Sequence, residues 1–380
     1  MKIHQETIRN IAQAPAALEN LAAVQPQLLL VFAGIGLLTA GGLVEQLRQR
    51  FPHCVLIGCS TAGEIDNSGV NDDSAVLTAV HFDTSRISVA STALVSMDDS
   101  FAAGKRLGES LADPALKGIL MFGPGVGING SALVRGLSER IGEQIPITGG
   151  LAGDAGAFRQ TWTLGPEGLS DDSIVAIGLH GEQLTLAHGS FGGWEAFGPA
   201  RRVTRCSGNV LFELDGEPAL DIYKRYLGTH AAGLPASGLL FPFAMLGEDH
   251  HALGLIRTIL AVDDASGSLT LAGEISENGY LKLMHASTDK LVNGAEHAAL
   301  DASRMLAGGA AQLAILVSCV GRKLVMGNRV DEEVEAVQDS LGEHTQLAGF
   351  YSYGEISPFS DAMRCQLHNQ TMTITCIGEN

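Results

Sequence analysis

The chain repeats itself, and this constrains its fold more than any single motif does. The segment Leu56-Ile57-Gly58-Cys59-Ser60-Thr61-Ala62-Gly63-Glu64-Ile65 returns as Leu347-Ala348-Gly349-Phe350-Tyr351-Ser352-Tyr353-Gly354-Glu355-Ile356, with both glycines, the acid and the isoleucine in register. A degenerate copy, Pro146-Ile147-Thr148-Gly149-Gly150-Leu151-Ala152-Gly153-Asp154, lies between them. It is supported by a second match, of Asp72-Asp73-Ser74-Ala75-Val76 and His81 with Asp171-Asp172-Ser173-Ile174-Val175 and His180. Apolar runs at 28–32, 119–122 and 315–317 stand roughly 29 to 34 positions upstream of the shared turn, a spacing that suits strand, helix, strand. The expectation is a set of related α/β units whose Gly-rich turns sit at strand ends, where α/β sheets bind ligands.

A chain of 380 residues calls for two domains or one two-part domain, and 46% hydrophobic with 17% charged residues makes it globular. No window reaches the ~18 consecutive apolar residues of a membrane helix. The start, Met1-Lys2-Ile3-His4-Gln5-Glu6, lacks a secretory plan, so a cytoplasmic chain without membrane insertion is expected. A net charge of −18 opposes phosphate backbones and anionic bilayers, which argues against nucleic acid and leaves small molecules and proteins as partners. The six cysteines, Cys54, Cys59, Cys206, Cys319, Cys365 and Cys376, show no C-x-x-C spacing and read as reduced, buried thiols.

Along the chain, residues 1–25 read as an Ala-rich lead-in helix. The first unit runs through strand 28–32, a helix at 43–51 and strand 54–58, followed by strands 75–82 and 87–94. The second repeats this order from Ile119, with strands at 161–164, 174–180 and 184–188. The pattern changes between 191 and 310: two short strands over 203–214, a helix over 219–227 ending at Gly228, a hairpin over 271–284 and a long helix over 287–306. The third unit begins at Ala314. No Ser/Gly or Pro-rich linker separates the halves 26–214 and 215–380, so they are expected to pack together.

The turns carry the chemical signal. Gly63, Gly149, Gly150, Gly153 and Gly354 permit positive φ and expose backbone N–H groups, Ser60, Thr61, Tyr351 and Ser352 add hydroxyls, and Glu64, Asp154 and Glu355 add acids. A Gly-x-Gly-x-x-Gly stretch, residues 125–130, follows a strand and precedes a helix. With 47 glycines in 380 positions roughly 0.7 such matches arise by chance, so nucleotide binding is not read from it. There is no Gly-x-Ser-x-Gly elbow, His-Glu-x-x-His or phosphate loop. Cys59 at a strand end has no indicated base. His188, followed by Gly192-Gly193-Trp194, and His368, beside Asn369, are the candidate iron ligands.

Together these stretches resemble a known family. Residues 58–65, Gly149 to Asp154, Gly193-Trp194, Phe197-Gly198-Pro199 and Val203-Thr204 resemble the N-terminal FIST domain (F-box and intracellular signal transduction). Asp215-Gly216-Glu217-Pro218-Ala219-Leu220-Asp221-Ile222-Tyr223, Tyr226-Leu227-Gly228, Leu240-Phe241-Pro242, Cys319-Val320-Gly321-Arg322, residues 349–356 and His368-Asn369-Gln370-Thr371 are similar to its C-terminal companion. The resemblance implies an α/β fold of two packed FIST halves with additional antiparallel strands, and a non-enzymatic sensory protein acting on a histidine kinase or other signalling partner. A stand-alone bacterial branch of the family is described as haem-binding nitric-oxide sensors, which makes haem the specific ligand implied. The alternative is an amino acid or similar metabolite, its carboxylate on the N–H groups of Gly63, Gly150 and Gly354 and its amine on Glu64, Asp154 or Glu355. A Cys59-dependent hydrolase or transferase is the reading from the enzyme class.

Overall fold

The computed structural model describes residues 1–40, 42–306, 309–359 and 362–380. Three copies of one unit are present, and each is built around a parallel strand pair joined by helix: Leu28–Ala33 with Val55–Ser60, Leu116–Gly123 with Ile147–Leu151, and Leu313–Cys319 with Gln346–Ser352. The apolar runs are nearly unbroken because these strands are covered on both faces. Leu28, Leu30 and Phe32 point to a core shared by all three repeats, while Leu29, Val31 and Ala33 face the helices of repeat 1.

Beside each pair lies the repeat's closing strand, Ala75–His81, Ser173–His180 or Met372–Glu379, antiparallel to it. Beside that lies the opening strand, Lys2–Ile8, Arg86–Ala93 or Leu184–Phe191. The lead-in 1–25 thus holds a strand as well as the helix Ala14–Ala22. Polar His4, Gln5 and Glu6 interrupt that strand, which erases the alternation by which a strand is recognised.

The other edge of each parallel pair is covered from outside. The hairpin Glu64–Asp66/Gly69–Asn71 of repeat 1 pairs with Gln346–Ser352 of repeat 3. Strands Gly354–Phe359 and Ala362–His368 of repeat 3 extend the sheet of repeat 2. Strands Thr163–Gly165 and Gly168–Ser170 of repeat 2 extend that of repeat 1. Each repeat therefore lends a hairpin to another, in a closed cycle. At the centre Phe32, Phe122 and Phe350 meet, with ring centroids 4.8, 5.4 and 5.9 Å apart.

Repeat 3 is interrupted between its opening strand and the helix Thr288–Met305 by an antiparallel sheet spanning 195–285, with the helix Ala219–Leu227 packed on its own core. Strand Val210–Leu214 pairs with Glu217–Pro218, so sheet pairing crosses the expected junction at 214–215. The hairpin expected over 271–284 does not form. Ser268–Leu271 pairs with Val210–Leu214 and Ile259–Asp263, and Tyr280–His285 pairs with Phe243–Leu246. Both segments are apolar and β-prone, and nothing local selects one antiparallel neighbour over another. The long helix begins where Ser287 caps the Lys290 N–H, and its Ala295, Ala298, Ala299 and Ala302 lie in the core.

The first glycine of each repeated turn has one structural cause. Gly58, Gly149 and Gly349 stand opposite Val31, Met121 and Leu316 on the parallel partner. A Cβ at any of the three would overlap the backbone carbonyl oxygen of that residue. Gly349→Ala should therefore lower the free energy of unfolding by more than about 2 kcal/mol. Gly36→Ala, in a short helix with open space at its Cβ, should be neutral or slightly stabilising. Urea midpoints of the two variants check this, and equal midpoints would refute the close approach.

Candidate functional site

The three turns meet, and they spend their polar groups largely on one another. Gly153 N–H donates to the Ser60 carbonyl at 2.8 Å, and Ser60 Oγ donates to the Gly153 carbonyl at 2.7 Å. Ala62 N–H donates to the Tyr351 carbonyl and Tyr351 N–H to that of Gly63, both at 2.8 Å. Tyr353 N–H reaches the Leu151 carbonyl at 3.2 Å, and its hydroxyl donates to Asp154. Gly150 and Gly354 sit in the ladder between repeats 2 and 3. Cys59 is wholly buried beside the central phenylalanines, and burial pushes its thiol well above the usual range, which keeps it out of the thiolate form.

The acids of repeats 1 and 3 are held alike. Glu64 accepts hydrogen bonds from Thr61 Oγ1, Ser74 N–H at 2.9 Å and Ser74 Oγ at 2.6 Å. Glu355 accepts from Ser352 Oγ at 2.7 Å, Thr371 N–H at 3.1 Å and Thr371 Oγ1 at 3.0 Å. Burial raises the pKa of both, that of Glu355 to about 7, against the pull of these donors. Asp154 follows a longer excursion and instead accepts from the N–H groups of Phe158, Arg159 and Gln160 at 2.7 to 3.1 Å.

Their surroundings differ. Glu64 lines a 590 Å³ cavity with Gly34, Gly36, Thr61, Gly63, Asp72, Asp73, Asp154 and Lys323. The cavity lies at the C-terminal ends of Leu28–Ala33 and Leu313–Cys319, the position in an α/β sheet where ligands bind. Among the described residues Lys323 is its sole cationic lining residue, against the four acids Glu64, Asp72, Asp73 and Asp154. Its ammonium donates to the Ala62 carbonyl at 2.9 Å and to Asp72, and stands 5.4 Å above the Tyr351 ring. Over Glu355 the inserted sheet closes the corresponding space, because Gln370 Nε2 donates to the Leu239 carbonyl at 2.9 Å and Thr258 Oγ1 at 3.0 Å.

Next to Lys323, Arg322 is fully buried. Its guanidinium donates to Glu333 at 2.7 and 3.1 Å, to the Leu291 carbonyl at 2.8 Å and to that of Gly192. Ser318 and Tyr351 hydroxyls complete the Glu333 carboxylate. Trp194 lies at the same junction, its Nε1 donating to the Gln370 carbonyl at 2.8 Å. Asn369 is buried beside it in sequence, bonded to the His368 carbonyl at 2.9 Å.

Neither candidate histidine fits a haem. His188 is buried on Leu184–Phe191 with both ring nitrogens unpartnered, and the cavity beside it measures 10 Å³, the volume of one water rather than of a porphyrin. His368 donates Nε2–H to the Ser357 carbonyl at 2.9 Å and packs edge-on against Phe359, and burial takes its pKa down to about 4. Among the described residues no group of three or more His, Cys, Asp or Glu is placed to hold a metal ion.

Sequence reasoning found Thr61, Gly63, Glu64 and Asp154 but missed Asp72, Asp73, Gly34 and Lys323. In the sequence the Asp72-Asp73-Ser74 match marks only the repeat, although its place before a closing strand aims it at the strand ends. Gly34 and Lys323 follow the first parallel strand of their repeats, and that shared position was the available signal.

Glu355 also sets a pH dependence. Its folded pKa of about 7 lies above the unfolded 4.5, so between these values the folded state holds more protons and stability falls as pH rises. The loss is complete above pH 7 and is on the order of 3 kcal/mol. Glu355→Gln should gain on the wild type progressively from pH 4.5 to 7.5 in urea titrations, and parallel stability curves would show that burial does not penalise this carboxylate.

Two family models together match most of the chain. The FIST N domain matches residues 27–217 and the FIST C domain residues 219–358. An uncharacterized protein of Methanocaldococcus jannaschii is 29% identical over 200 residues, which cover 48% of this chain and 36% of that protein. The chain thus spans about a third of this relative's length. A cyanuric acid hydrolase from A. caulinodans aligns over 100% of this chain and 99% of its own, at 9% identity and a TM-score of 0.39. Among the described residues no helix is long and apolar enough to cross a membrane.

Proposed function

This chain belongs to the FIST family of signal-transduction sensory domains, and from that premise we propose that it senses a small amine-bearing metabolite, an amino acid or related amine, in the Glu64–Lys323 cavity. The observation that carries this reading is the charge of the lining, four acids to one ammonium around 590 Å³, within the volume range of small-molecule sites. An incoming ammonium has carboxylates to meet, with Asp72 and Asp73 exposed at the mouth. A ligand carboxylate has Lys323 to meet once Asp72 turns to the amine.

Binding in this reading is non-catalytic. By competing for Asp72 the ligand frees Lys323, and the helix Val320–Met326 that carries it also carries Arg322. Arg322 grips the Gly192 and Leu291 carbonyls, which flank the inserted sheet, so displacement of the helix reaches the surface of that sheet, where a histidine kinase or other signalling partner would read it. The haem and nitric-oxide reading is the rival, without a fitting cavity at either candidate histidine, and the Cys59-dependent enzyme would need a thiol that burial keeps protonated.

Calorimetric titration with a panel of amino acids and simple amines tests the proposal. At least one amine should bind saturably, and Asp73→Asn and Asp72→Asn should each weaken it about tenfold, the worth of one charge-assisted contact. Binding that is absent across the panel, or unaltered in both variants, would remove this cavity from consideration. A Soret band in protein expressed with haem precursor would shift the reading to haem.

A further inference from the structure

A second cavity of 590 Å³ lies away from the strand-end site, between the helix Gly130–Ile141 of repeat 2, the inserted sheet and the strand Ala362–His368. Its lining includes Arg257, which is 2% exposed. The guanidinium donates only to backbone carbonyls: Nε to Glu274 at 3.1 Å, and Nη1 to Ile256 at 3.1 Å and Leu367 at 3.3 Å. Among the described residues no carboxylate comes within salt-bridge distance of it, and its Nη2 makes no hydrogen bond. The Glu274 carboxylate acts on it from further off and is itself engaged by Arg135 at 2.8 Å. Ser131 Oγ, on the same cavity wall, is occluded and unpartnered.

A guanidinium stays charged at neutral pH, even though burial draws that of Arg257 down to about 10. Carbonyl dipoles orient such a group without neutralising it, and a buried cation lacking a counter-ion is costly. Arg135 and Arg364 add two more forks to the lining, the first paired with Glu274 and the second 3.6 Å from Glu143.

We propose that this cavity binds a small oxyanion, a carboxylate or phosphate-bearing metabolite, with Arg257 as its ion-pair partner, Ser131 as a hydroxyl donor and Arg135 and Arg364 closing from the rim. The site shares no lining residue with the amine cavity, and its walls set three arginines against Glu139, Glu143 and Glu274; among the described residues Arg257 is the one of the three arginines with no carboxylate at salt-bridge distance. With a net charge of −18 the protein's far field repels anions, so local donors carry the affinity and it should depend steeply on Arg257. The walls come from both halves of the chain, Ser131 and Arg135 from one and Arg257 and Glu274 from the other, so an occupant bridges them.

Calorimetric titrations at fixed ionic strength with inorganic phosphate and, separately, with succinate test this. At least one should bind saturably with 1:1 stoichiometry, and the one that binds identifies the class of oxyanion. Arg257→Gln should weaken binding about tenfold or more, and Arg257→Lys, which keeps the charge but loses the fork, by less. Because a change at a buried site can compromise folding, the exposed pair Arg135→Ala/Arg364→Ala serves as a second probe and should weaken binding about threefold or more. Absence of saturable binding by both anions would overturn the proposal. So would wild-type affinity in a folded Arg257→Gln protein or, should that protein not fold, in the rim pair.

Discussion

No repeat in this chain completes its own sheet. The edge of each parallel pair carries unpaired N–H and C=O groups, and in every case a hairpin from another repeat satisfies them. A single exchange would tie two repeats together, and three in a cycle make the assembly depend on all of them at once. The Phe32, Phe122 and Phe350 cluster fills the centre that the cycle encloses. The turns knit by backbone hydrogen bonds because the chain must cross from one repeat to the next at these points, so their glycines serve close approach first.

This geometry creates equivalent positions and then makes them unequal. Glu64 and Glu355 keep the same donors from a hydroxyl three residues before and from the residue just before the closing strand. The inserted sheet packs over repeat 3 and seals the second position through Gln370, whereas the first stays open beside Lys323. Repeat 2 spends its acid, Asp154, on organising its own long turn. A pseudo-symmetric scaffold thus presents one acid-lined cavity at its strand ends, and the asymmetry arises from one insertion and one lengthened turn.

Much of this was legible in residue order. The periodic copies, the apolar strands, the Ser287-capped helix and the glycines at 58, 149 and 349 are local features, and local pattern reports them. Strand exchange is not local: residues 64–71 form a hairpin whether they pair within repeat 1 or with repeat 3, and their sequence is the same in both cases. The strand Lys2–Ile8 escaped because its polar side chains lie at the sheet's edge, and the inserted sheet because its β-prone segments name no neighbour. At the site, Glu64 and Asp154 were visible as turn residues, whereas Asp72 and Asp73 stood out only as part of the repeat. Lys323 and Arg257 were not visible, since a lone basic residue acquires meaning only from what surrounds it in space.

The buried Arg322–Glu333 pair shows how the parts are coupled. A buried ion pair is weak evidence for stability, because desolvating both charges offsets much of their attraction. What distinguishes this one is the number of elements that it holds together: Gly192 before the insertion, Leu291 after it, the helix Val320–Met326, and through Ser318 and Tyr351 the parallel pair of repeat 3. Removing either charge would strand the other, so these elements cannot separate without breaking the whole network. The Tyr351 ring lies under the Lys323 ammonium of the cavity, while its hydroxyl lies in the network. Cavity and insertion are therefore joined through Tyr351, by a cation–π contact on the Lys323 side and by charge-assisted hydrogen bonds on the Arg322 side, and those bonds, unlike a deformable apolar contact, hold a defined geometry.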